Sequence, residues 1–215
     1  MTVLSAITHE PLVPESQRSS FPILFLHGYE IYADGRLSPL SQAVCDTAIR
    51  LLEMNGDLRV IILGGWHLKE VNSSMLIADA MRFNLISRGI SLERIITKAH
   101  FRSLDSCMPP RDTWEEFMLL LQILKRLGRS PNTPLQSVAW DFHIPRLKRM
   151  LKTYRLTDTE IVPAVPEPHE GLRRRKWMER CARVVRFIDP DGDGIICHSI
   201  RLGRTLNENL KPIIA

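Results

Sequence analysis

Short apolar runs alternating with helix-period segments constrain this chain more than any other feature. Residues 21–27 read FPILFLH, an unbroken apolar run as far as Leu26. A strand written this way is buried on both sides, which is the pattern of a parallel sheet covered by helices and not of a half-exposed antiparallel one. Further strands are predicted over 59–63 (RVIIL), 93–97, 135–140 and 159–163. Helices are predicted between and after them. The first covers 39–54, with Ser38 as N-cap, Pro39 at the first helical position and Asn55-Gly56 as the stop. The others cover 73–88 (closed by Gly89-Ile90), 113–127 and 144–154. Asp112 or Thr113 can cap the third, and Glu115 falls where a capping carboxylate would sit. Strand and helix in strict alternation with short turns mean parallel strands joined by crossovers. The expected fold is an α/β, three-layer Rossmann-like sandwich with a mostly parallel sheet, plus a basic helix at the C-terminal end.

Three segments follow from this reading: a lead-in over 1–20, the α/β domain over 21–170, and a helical extension over 171–215 expected to pack on that domain. The extension is rich in arginine (Arg173, Arg174, Arg175, Arg180, Arg183, Arg186) and carries Trp177, Cys181, Val184, Val185 and Ile188 at helical spacing. Those apolar residues are predicted to face the sheet, with the arginines solvated. Over the whole chain 29 Lys+Arg against 24 Asp+Glu leave a net charge of only +5, so no nucleic-acid partner is expected. No apolar run is long enough to span a bilayer, and residues 1–20 carry neither a basic start nor a long apolar core. Cys45, Cys107, Cys181 and Cys197 form no C-x-x-C pair and read as thiols of a reducing compartment. A cytoplasmic location is the expectation. The sequence sets no oligomeric state.

The ends of the predicted strands collect the polar residues. His27-Gly28 closes the first run and Gly64-Gly65-Trp66-His67 the second. Paired glycines at a strand end let a ligand or another backbone approach closely. The fourth run passes through Asp141 and His143 into a helix that carries Arg146. Open α/β sheets bind ligands outside the carboxyl ends of their strands, and a helix start adds free N–H donors and a positive dipole end. Asp141, His143 and Arg146 therefore offer an acceptor, a titratable ring and a fixed cation at one mouth.

Several chemistries lack their motifs. No G-x-S-x-G elbow supports the hydrolase reading of His27-Gly28, and neither a G-x-G-x-x-G fingerprint nor a Walker A sequence is present. His27, His67, Asp141 and His143 lack the spacing of a metal motif, and no metal is expected of them. Asp189, Asp191 and Asp193 with Gly194 form the front half of a calcium loop, but Ile200 stands where its bidentate Glu is required, so an Asp/Gly-rich turn is the preferred reading.

Taken together, these stretches resemble the YdcF/SanA-like family over residues 23–166. The matching segments are Asp34-Gly-Arg-Leu-Ser38, Gly64-Gly65, Ala78-Asp79-Ala80-Met81 through Leu85 to Gly89-Ile90, Thr113-Trp-Glu-Glu116, and Trp140-Asp-Phe-His-Ile-Pro-Arg146. The chain departs from the pattern at His27 and Glu116, where the family usually has Gly and Asn, at an apolar residue near Ile77, and in a longer connection over 98–111. The resemblance implies a Rossmann-like domain with a cleft at the strand ends and, through one member, S-adenosylmethionine as ligand.

The first functional expectation is therefore a small nucleotide-like ligand. His27, Gly28, Gly64 and Gly65 would line its approach, Thr113 and Asp79 (or Glu115) would accept hydrogen bonds, and His143 and Arg146 would hold an anionic group. The alternative is a hydrolase or transferase acting on a phosphorylated metabolite or envelope precursor, with His143 as general acid/base oriented by Asp141 or Glu115. A further alternative is a non-catalytic interaction protein that uses the basic C-terminal helix.

Overall fold

A computed structural model describes residues 21–32, 34–65, 75–101, 104, 110, 113–130, 133–168, 173, 176, 177, 180, 181 and 184. Five strands form one all-parallel sheet: β1 (Ile23–Leu26), β2 (Arg59–Ile62), β3 (Ile95–Ile96), β4 (Leu135–Trp140) and β5 (Thr159–Ala164). Their spatial order is β3-β2-β1-β4-β5. Four helices supply the crossovers: α1 (Pro39–Met54), α2 (Ile77–Ser87), α3 (Thr113–Arg126) and α4 (Ile144–Thr153). The fold is the expected Rossmann-like α/β sandwich.

The double-sided apolar pattern of β1 explains the layers. Leu24 and Leu26 join a core under α1 and α2, with Val44, Leu52 and Met81. Ile23 and Phe25 join a second core under α3 and α4, with Phe117, Leu120, Leu147 and Leu151. Because the chain builds outward from β1 to β3 and then returns to β4, the connections diverge between β1 and β4. Open α/β sheets bind their ligands at such a reversal of strand order, outside the carboxyl ends of the two strands.

Local sequence sets the loop that leaves β1. The Ser38 side chain accepts from the Ser41 N–H and caps α1. Ser41 Oγ donates to the Glu30 carbonyl at 2.7 Å and accepts from the Glu30 N–H at 3.0 Å, which pins the backbone around Tyr29. The Tyr29 ring then stacks on Trp140 at the end of β4, with centroids 3.6 Å apart. Trp140 is itself buried, its indole N–H donating to the Leu40 carbonyl.

Two expectations are corrected. The third strand is two residues long and is preceded by a 3-10 turn over Leu92–Arg94, so most of 93–97 is not strand. Between β4 and α4 a 3-10 turn spans Asp141–His143, and the strand and helix on either side fall where they were expected. Of the expected C-terminal apolar stripe, Trp177 is 64% and Val184 60% exposed and Cys181 is half-buried, while Val185 and Ile188 lie outside the described residues. Helices α1 and α2 cover one face of the sheet, and α3 and α4 the other. Among the described residues, no helix is long and apolar enough to cross a membrane. Trp66, His67 and the Asp189–Gly194 loop lie outside the described residues.

Three helices end in the same hydrogen-bond pattern, with the third residue beyond the helix reaching back in a 6→1 bond: Ile90 to Leu85, Arg129 to Leu124 and Leu156 to Leu151. The residue at the left-handed position is Gly89 in the first, Gly128 in the second and Arg155, at φ 59°, in the third. A side chain at such a position costs on the order of 1 kcal/mol. Arg155→Gly is therefore expected to raise the melting temperature by about 2 °C. A lower melting temperature in calorimetry would show that Arg155 is held there by contacts outweighing the strain.

Candidate functional site at the β1 and β4 strand ends

Two buried histidines meet where β1 and β4 end. His27 follows β1 directly, and the period-2 alternation of that strand turns it toward α3, on the same side as Ile23 and Phe25. His143 closes the turn after β4. Their ring centroids lie 5.9 Å apart in an edge-to-face arrangement. Both are nearly or completely inaccessible, at 1% and 0% exposure.

His27 bridges two elements. Its Nδ1 lies 3.3 Å from Glu116 Oε2 on α3 and its Nε2 3.0 Å from Ser137 Oγ on β4. A carboxylate only accepts, so Nδ1 carries a proton. The order Glu–His–Ser is that of a nucleophilic triad. Access decides against that use: Ser137 is 1% exposed and sits inside β4, opposite Phe25 in the β1–β4 register. The trio instead satisfies three polar groups in an apolar layer and ties α3 to the two central strands.

His143 is held from the other side. Arg146, one helical turn on, places Nη2 2.9 Å and Nε 3.3 Å from His143 Nδ1, and the same Nη2 is 3.3 Å from His143 Nε2 and from Thr113 Oγ1. An arginine only donates, so the closest contact assigns the lone pair of His143 to Nδ1 and its proton to Nε2. The Tyr29 ring meets His143 edge-to-face at 5.2 Å. Arg146 and Tyr29 are half-buried and form the rim of this cluster.

The structure thus brings His27, Thr113, His143 and Arg146 together. It places the other expected residues apart. Asp141 is exposed, and its Oδ1 accepts from the Phe142 N–H at 2.6 Å, within its own turn. Glu116 turns inward to His27. Asp79 is half-buried in the first turn of α2, with no hydrogen bond to either histidine among the described residues. The glycines meet protein: a Cβ on Gly28 would lie 2.5 Å from Ile77 Cγ2, one on Gly64 3.3 Å from the Gly28 Cα, and one on Gly65 1.7 Å from the Pro110 carbonyl oxygen. Of the two uses open to paired glycines, close approach of another backbone is the one realised. The first N–H groups of α2 are occupied too, since Ile77 and Ala78 donate to the carbonyls of Gly65 and Gly64.

Among the described residues, no cluster of three or more His, Cys, Asp or Glu could hold a metal ion. Cys45 is buried in α1, and burial pushes its thiol well above the ordinary range, which removes it as a nucleophile. Sequence reasoning missed Tyr29, Glu116, Ser137 and Trp140. A signal for Ser137 existed, since it is the polar residue on the same alternation face as Leu135 and Ala139. No family model, curated protein or solved structure matches this chain.

Two substitutions separate a buried network from an open site. Glu116→Ala leaves the His27 N–H without its acceptor and is expected to lower stability by about 1–3 kcal/mol, read as an earlier urea midpoint at unchanged slope. Gly65→Ala is expected to destabilise by a similar amount, about 1–3 kcal/mol, because Pro110 must move. An unchanged midpoint for both would remove the packing described here.

Proposed function

We propose that this chain binds a small anionic, nucleotide-like ligand in the crevice between the carboxyl ends of β1 and β4, with S-adenosylmethionine the leading candidate. The observation that carries this reading is the strand order, which reverses at β1 and β4 with a half-buried arginine on the rim of that crevice. A guanidinium can hold a carboxylate or phosphate through two parallel hydrogen bonds. Tyr29 supplies a flat apolar surface beside it, already braced by Trp140. Thr113 and His143 keep the guanidinium in place, so Arg146 arrives at the ligand pre-oriented. The same proposal puts the protein in the cytoplasm. Complete burial of the His143 ring weighs against the enzyme alternative, since a general acid/base must come within hydrogen-bond reach of its substrate.

Thermal denaturation tests this directly. S-adenosylmethionine, S-adenosylhomocysteine and ATP are each titrated against the native protein and an Arg146→Lys variant. A ligand at 100 times its dissociation constant adds about 2.7 kcal/mol, which raises the melting temperature by roughly 5–10 °C. The expected result is a rise with at least one of the three that shrinks strongly in the variant, because an ammonium cannot reproduce the two-pronged contact. No rise with any of them, or an equal rise in both proteins, would overturn the proposal.

A further inference from the structure

A ligand phosphate in an open α/β sheet is held mainly by free backbone N–H groups, at the turn after the first strand and at the helix starts beside the strand ends. In this chain such donors are engaged within the protein. Tyr29 and Glu30, in the turn after β1, donate their N–H groups to Ser41 Oγ at 3.4 and 3.0 Å, and that hydroxyl donates to the Glu30 carbonyl at 2.7 Å. A hydroxyl has one proton and two lone pairs, so the Ser41 side chain is fully committed. Ser41 is completely buried, which shields these bonds from competing water.

The helix starts repeat the pattern. α1 opens on Pro39, which has no N–H, and its Ser41 N–H is taken by Ser38 Oγ. In α2 the Ile77 and Ala78 N–H groups donate to the Gly65 and Gly64 carbonyls. α3 carries Glu115 and Glu116 in its first turn, where they already balance the positive end of the helix dipole. Ahead of α4, Asp141 takes the Phe142 N–H with its carboxylate and the Ile144 N–H with its carbonyl, and Pro145 has none to offer. Asp141 is thus an internal anion at the turn where a phosphate would sit, and its exposed charge repels one.

What remains for an anion is a side chain. Arg146 is hydrogen-bonded into the histidine cluster through His143 and Thr113. One guanidinium matches a carboxylate both in charge and in its planar, two-oxygen geometry. A phosphate monoester carries a charge of about −1.5 to −2 near neutral pH and three acceptor oxygens, more than one cation without backbone donors can satisfy.

We infer that the site selects a carboxylate and rejects phosphates, so that its ligand class is a carboxylate-bearing nucleoside and not a nucleoside phosphate or dinucleotide. The inference rests on the proposed binding site at the β1 and β4 strand ends and narrows its ligand to one kind of anion.

Calorimetric titration of the full chain with four adenosine compounds tests it: S-adenosylhomocysteine and adenosine 5′-carboxylate against AMP and ADP. The tightest carboxylate is expected to bind at least roughly tenfold more tightly than the tightest phosphate, because phosphate oxygens left unpaired on binding cost about that factor. The nitrogen-15 Nε resonance of Arg146 is expected to shift as the carboxylate is added, which locates the contact in the native protein. A ratio below roughly tenfold, or a preference for either phosphate, overturns the inference while an Arg146 response leaves the site itself standing. Carboxylate binding that leaves the Arg146 resonance unmoved also overturns it, because the anion is then held elsewhere. Binding of none of the four overturns the proposed site and this inference with it.

Discussion

The hydrogen bonds that His27 makes to Glu116 and Ser137 hold the middle of this molecule in register. β1 is the central strand, β4 is its neighbour across the reversal of strand order, and α3 covers both. His27 touches all three elements through 3.3 and 3.0 Å contacts inside an otherwise apolar layer. Apolar packing alone would let a helix slide on a sheet, because the hydrophobic effect is non-directional. A buried polar trio has one satisfied arrangement, and each unsatisfied alternative carries a desolvation penalty. The position of Thr113, and through it Arg146, follows from that arrangement.

The second histidine extends the same logic to the rim. His143 cannot be solvated, and its ring accepts from Arg146 while Tyr29 covers its edge. Two neighbouring imidazoles thus carry their protons on different nitrogens, Nδ1 in His27 and Nε2 in His143, each set by a partner that can only accept or only donate. Both rings thus lie inside the protein, with the half-buried Arg146 and Tyr29 beside them.

Much of the fold was legible because it rests on one-dimensional signals. Doubly buried strands read as unbroken apolar runs, helix starts as Ser38-Pro39, and helix stops as Gly89 and Gly128. The strand ends as the seat of His27, His143 and Arg146 followed from topology. What failed depended on side-chain direction or on neighbours distant in sequence. Glu115 and Glu116 are indistinguishable as capping residues, and only the orientation of α3 against β1 selects the second. The occupant in front of Gly65 is Pro110, from a loop whose path no local pattern encodes. The stripe containing Trp177 has the period of a packed helix, but whether a sheet face remains open to receive it depends on the four other helices.

The most direct measurement is the nitrogen-15 spectrum of the histidine rings at neutral pH, with His27 and His143 assigned by substitution. The expected result is a proton on Nδ1 of His27, and in His143 an unprotonated Nδ1 with the proton on Nε2. A proton on Nδ1 of His143 would place a donor against the Arg146 guanidinium and contradict the arrangement on which the site rests.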